Sequence, residues 1–134
     1  MQTRAVKFSC IALAFYIGVG LFTYFTQPSY GSCEAFTEDL NGGEKYVRGA
    51  AYYIKLCGTD ITNGTKIRLQ VFSGAGELLA ERYFSTYVNS AIERELTEGA
   101  DSIVYYDSAK KSPMQSISIP PSKWDWIRAR VPLF

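Results

Sequence analysis

Residues Phe8 to Phe25 read FSCIALAFYIGVGLFTYF, eighteen consecutive positions without a charge. As a helix rising about 1.5 Å per residue, this run spans roughly 27 Å, close to the hydrocarbon thickness of a bilayer. It is apolar on every side. A helix apolar all round belongs in the core of a large protein or in a membrane, and a chain of 134 residues makes the first a weak reading. Arg4 and Lys7 precede the run, whereas Glu34, Glu38, Asp39 and Glu44 all come before the next cation, Lys45. Cations concentrated on the short leading segment predict residues 1–7 in the cytoplasm, 8–25 as a single-pass anchor, and everything beyond on the outer side. The expected membrane is the inner (cytoplasmic) membrane of a bacterial-type envelope. Tyr24 and Phe25 stand where an aromatic belt belongs.

A cleaved signal peptide is the competing reading, with Arg4 and Lys7 as its positive region and Ser29 and Gly31 as small residues before a cut at Ser32. It would leave a secreted or periplasmic domain. The run is longer than the usual signal core, and Tyr16, Tyr24 and Phe25 are bulky, so an uncleaved anchor is expected. Cys10 opens the apolar run instead of ending it, which argues against a lipoprotein. Ala14, Gly18 and Gly20 have spacing that lets membrane helices approach. Short anchors contain such residues by chance, and no dimer is predicted from them.

Both readings export the rest of the chain, and that decides the cysteine chemistry. Disulfides persist outside the cytoplasm, so Cys33 and Cys57 are predicted to pair, while Cys10 stays a free thiol in the anchor. The bridge closes a loop of about 25 residues, worth roughly 3–4 kcal/mol by chain entropy. Residues 26–43 carry Pro28, Gly31, Asn41, Gly42 and Gly43 with three acids, Glu34, Glu38 and Asp39, between them. They read as a tether, with a helical turn over Glu34–Leu40.

Residues 44–134 read as one extracytoplasmic β domain. The chain has 134 residues with ten Tyr and eight Phe, and such residues favour pleated, half-buried surfaces. Tyr46–Cys57 reads as a strand with a bulge or bend at Gly49–Ala51. Asn63-Gly64 is predicted to supply the positive-φ positions of a hairpin turn. Lys66–Phe72 alternates, with Ile67, Leu69 and Val71 on the inward face. Further strands are expected over Leu78–Val88, Ile92–Thr97, Ser102–Asp107 and Gln115–Ile119. The predicted fold is mainly β: a small antiparallel meander of five to seven strands, sandwich or barrel-like, behind a single N-terminal transmembrane helix. A short C-terminal helix closes it, capped by Ser122 with Asp125 three residues on. Trp124, Ile127 and Val131 share one side of that helix, with Trp124 expected to dock it on the sheet.

The chain contains no histidine and carries a formal net charge of +1. The first fact removes the commonest neutral-pH base and the usual zinc ligand; the second gives no reason to expect nucleic-acid binding. Neither a metal nor a cofactor is predicted. Two acid pairs, Glu93 with Glu95 and Asp101 with Asp107, have the residue types for carboxylate hydrolysis. Solvated strand faces and turn caps are the better explanation of both, since no cleft signature accompanies them. Tyr52-Tyr53 and Tyr105-Tyr106 each place one ring inward and one outward, the outward ones being candidate stacking platforms. Asn63-Gly64-Thr65 is formally a glycosylation sequon, and Gly74-Ala75-Gly76 is too short for a phosphate loop.

Charge is distributed unevenly. Residues 77–107 hold seven acids and two bases, and residues 108–134 hold five bases and one acid. Lys110, Lys111, Lys123, Arg128 and Arg130, beside Trp126, are candidate contacts for a partner or for lipid headgroups, since Arg and Trp are enriched at binding hot spots; an ordinary mixed surface is the plainer reading. The leading expectation is a membrane-tethered, non-enzymatic interaction domain that meets another envelope protein, as an immunity or inhibitor protein or as an accessory subunit. A histidine-independent envelope hydrolase and a small-ligand-binding β domain are the alternatives.

Overall fold

The structure is a computed structural model that describes residues 2–88 and 95–131. Glu93 and the first part of the strand expected over Ile92–Thr97 lie outside the described residues. The chain forms two units, one reaching through Pro28 and one spanning Ser29–Val131. In the first, α1 runs from Gln2 to Thr26. Its Ala5–Thr26 stretch is long and apolar enough to cross a membrane, a property that signal sequences share. Thr23 and Thr26 turn their hydroxyls back to the carbonyls of Val19 and Phe22.

The second unit is mainly β, with two antiparallel sheets. Strands β1 (Gly43–Val47), β2 (Ala50–Ile61), β3 (Gly64–Ser73) and β4 (Leu78–Tyr87) form a four-stranded meander in that order. Strands β5 (Thr97–Glu98), β6 (Ser102–Tyr106) and β7 (Met114–Ser118) form a three-stranded one. The two sheets share one core. Ile54, Leu56, Ile67, Leu69, Val71, Ala80 and Phe84 come from the first; Ile103, Tyr105 and Ile117 come from the second. Phe84 and Tyr105 meet ring to ring with centroids 5.0 Å apart, which links the sheets through their largest inward side chains. The alternation expected for Ile67, Leu69 and Val71 is present, because period-2 geometry sends every second side chain to one face.

Three local expectations need correction. Gly49–Ala51 is not a bulge: Val47 pairs with Ala50, and Arg48 and Gly49 both take positive φ, 51° and 80°. That is the two-residue turn whose twist suits a hairpin, with Arg48 held there by a bidentate pair to Asp101 at 2.8 and 2.6 Å. The next hairpin turns on Thr62-Asn63, since Ile61 pairs with Gly64. Gly64 is required for close approach and not for its φ, because a Cβ there would collide with the Thr86 carbonyl oxygen. Finally, most of the expected tether belongs to the domain. Helix α2 (Cys33–Asp39) packs on β2, and Leu40 joins the core.

The packing of α2 has a backbone cause. Pairing of β1 along β2 ends at Gly43 opposite Ile54, which would leave the remaining edge of β2 open. The Thr37 hydroxyl fills the gap, accepting from the Leu56 amide at 3.0 Å and donating to its carbonyl at 3.2 Å. Gly31 then pairs with Gly58 through two backbone bonds of 2.9 and 3.1 Å. Buried backbone groups are satisfied, and a strand edge that could template aggregation is covered.

Candidate functional site

Two surfaces carry the residues with chemistry. The first is α3 (Lys123–Arg128), reached after a cis Ile119–Pro120 bond. Ser122 and Asp125 form a reciprocal capping box, as the spacing predicts. Asp125 does more than cap: its carboxylate is buried and paired with Arg82 of β4, and Arg82 also reaches the Tyr105 hydroxyl. Burial by itself raises the pKa of Asp125; hydrogen bonds from Ser122 and Arg82 and the Arg82 charge outweigh it, so the carboxyl titrates below its ordinary value. Trp126 and Arg130 make the second attachment. The Trp126 indole donates to Glu77 at 2.8 Å, Arg130 stacks 3.7 Å over the indole ring, and the Arg130 guanidinium stands 3.5 Å from the same Glu77.

Helix α3 is therefore held by polar clamps and not by an apolar stripe. Trp124, expected to dock the helix, is 60 % exposed, and Ile127 is 37 % exposed. Lys123 and Arg128 are exposed beside them. At i, i+3 and i+4 spacing, Trp124, Ile127 and Arg128 share one side of the helix. Of the anticipated contact residues, Trp126 and Arg130 are engaged within the fold, whereas Lys123 and Arg128 face outward. Lys110 and Lys111 lie on the turn between β6 and β7, where Lys110 stands 3.9 Å from Asp107 and 3.5 Å from Gln115.

The second surface is the outer face of the four-stranded sheet. Register places Glu44, Tyr53 and Phe72 in one cross-strand row, Lys55, Gln70 and Glu81 in the next, and Cys57, Arg68 and Tyr83 in the next. A shallow cleft of about 400 Å³ opens in the first row, lined by Tyr53, Phe72, Glu44 and Lys55 among others. Cys33 and Cys57 stand at disulfide distance, 2.03 Å, fixing the start of α2 beside the third row. Tyr30 covers that row. Its ring lies 5.6 Å from that of Tyr83 and 5.2 Å from the Arg68 guanidinium. Burial pushes both phenols above their ordinary pKa, with Arg68 acting in the opposite direction. Sequence reading missed this cluster, because its members come from three strands and the segment ahead of α2.

Asp101 and Asp107 take structural places, whereas Glu95 is exposed and its companion Glu93 lies outside the described residues. Asp101 holds Arg48. Asp107 is buried, accepting from the Ser85 and Ala109 amides at 3.2 and 3.1 Å, which is turn and edge capping. Tyr105 is buried and Tyr53 exposed, in line with the inward and outward parity of each pair. No group of three or more metal-ligating side chains occurs among the described residues. No protein-family model, no curated protein and no solved structure matches the chain.

Proposed function

We propose that the protein is a single-pass anchored interaction domain without catalytic activity, displayed on the outer side of the cytoplasmic membrane of a bacterial-type envelope and binding another envelope protein. The observation that carries this reading is the presentation of α3. Two independent clamps, Asp125 on Arg82 and Trp126 with Arg130 on Glu77, hold the helix while Trp124, Ile127, Lys123 and Arg128 are turned to solvent. A rigid helix offering an exposed Trp and an Arg together has the composition of a binding hot spot with little ordering entropy to lose. Its charge suits a partner with an acidic face. Such a surface would serve an immunity or inhibitor protein or an accessory subunit.

The apolar run of α1 and the placement of Arg4 and Lys7 ahead of it support the anchor and its orientation. Site-specific photo-crosslinking from Lys123 in intact membranes tests the partner. The reading expects one stoichiometric protein adduct, lost in Trp124→Ala and Arg128→Glu. The absence of an adduct from any exposed position of α3 would remove it.

A further inference from the structure

Among the described residues, no ion pair is made by Arg68. It sits in the middle of β3, its guanidinium carbon 5.2 Å from the Tyr30 ring, with one Nη only 3.8 Å from the Cys57 sulfur, a poor acceptor. Its Nε is buried with no hydrogen-bond partner. No carboxylate lies within 4.0 Å of it among the described residues. The nearest acid in the register, Glu81, is engaged by the Tyr83 hydroxyl at 2.8 Å and by the Gln70 amide at 2.6 Å. Lys55 and Lys66 share the same outer face by strand parity, where with Arg68 they make three cations against the two acids Glu44 and Glu81. A half-buried guanidinium short of acceptors is the state that an incoming oxyanion relieves, and the planar fork fits phosphate.

The chain itself says where that phosphate is found. Only Gln27, Pro28 and Ser29 separate the last residue of α1 from Tyr30. Four residue steps reach at most about 14 Å, whatever the arrangement of helix and domain. The headgroup layer adds roughly 5–7 Å beyond the hydrocarbon edge. Tyr30 and Tyr83, each with an apolar ring and a polar tip, are the side chains that membrane interfaces favour. We infer that Arg68, framed by Tyr30 and Tyr83, binds the phosphate of an anionic lipid headgroup and so orients the domain at the bilayer surface. The inference rests on the anchored reading proposed above and adds a specific lipid site to it.

Native mass spectrometry of the full-length protein in detergent, with phosphatidylglycerol and phosphatidylcholine added in equal amounts, tests it. Wild type retains phosphatidylglycerol in preference to phosphatidylcholine by about fivefold more than Arg68→Gln does, the contribution of one cation at an anionic surface. Arg68→Lys keeps part of the preference, and Lys123→Gln keeps all of it. Arg68→Gln with an intact Cys33–Cys57 bridge and an unchanged lipid preference would overturn the lipid site while leaving the anchor standing. Recovery of a chain processed after the apolar run would overturn the anchor instead, and is visible in the same spectrum as a lower protein mass.

Discussion

The Thr37 hydroxyl bonds both backbone groups of Leu56, accepting from its amide at 3.0 Å and donating to its carbonyl at 3.2 Å. One side chain thereby stands in for a missing strand where β1 stops. Thr37→Val keeps the shape and removes both bonds, leaving a buried amide and carbonyl unpaired. It is expected to lower stability by about 2–4 kcal/mol in denaturant titration, whereas Thr37→Ser retains most of it. Equal stability of the Val and native forms would mean that the edge is satisfied in another way.

The sulfur bridge acts on the same junction. Cys33 and Cys57 lie 24 residues apart, and replacing both by Ser is expected to cost about 3–4 kcal/mol through the freed unfolded chain. The native protein should shift in mobility on reduction, and both thiols should resist labelling until reduced. Full labelling of both without reductant contradicts the pairing.

Two glycines separate side-chain from backbone crowding. A Cβ at Gly58 would enter the Phe36 ring, and a Cβ at Gly64 would enter the Thr86 carbonyl. Gly58→Ala is expected to destabilise by about 1–3 kcal/mol and to be partly rescued by Phe36→Leu, since a side chain can yield. Gly64→Ala should cost more, because it forces β3 and β4 apart, and no single side-chain change restores it. Thermal denaturation of the three variants decides the order.

The carboxyl of Asp125 has a pH signature. Its pKa is lower in the folded state, so the stabilisation it gives is present above the ordinary carboxylate range and is lost as pH falls through the depressed value. Below pH of about 4 the clamp on Arg82 weakens, and Trp126 fluorescence should report loosening of α3. Asp125→Asn should abolish that acid transition and destabilise at neutral pH. An identical acid profile in native and Asn forms would contradict the assignment.

Much of this architecture is legible in the sequence wherever the cause is local. The Ser122–Asp125 box, the inward Ile67, Leu69 and Val71, and the uncharged run of α1 each follow from spacing within a few residues. What escapes is what depends on distant neighbours. Arg48 takes a left-handed turn position that seldom suits Arg, held there by Asp101, 53 residues away. Trp124 has the periodicity of a buried residue and is exposed, because the Asp125–Arg82 pair docks the helix by its other side. The segment ahead of Gly43 is polar and rich in Gly, like a tether, yet Thr37 and Gly31 are drawn in by an unfinished strand edge. Arg68 gives no signal in a strand of alternating residues; only the register that sets it beside Cys57 and Tyr83, under Tyr30, isolates it.

Membrane topology is the most direct test of the whole account. A dual reporter that is active as a phosphatase only outside the cytoplasm and fluorescent only inside it, fused after Phe134, is read together with alkaline extraction of the membranes. The account predicts phosphatase activity, no fluorescence, and a full-length chain that stays in the membrane pellet. A fluorescent fusion, or a full-length chain released into the alkaline supernatant, would contradict it.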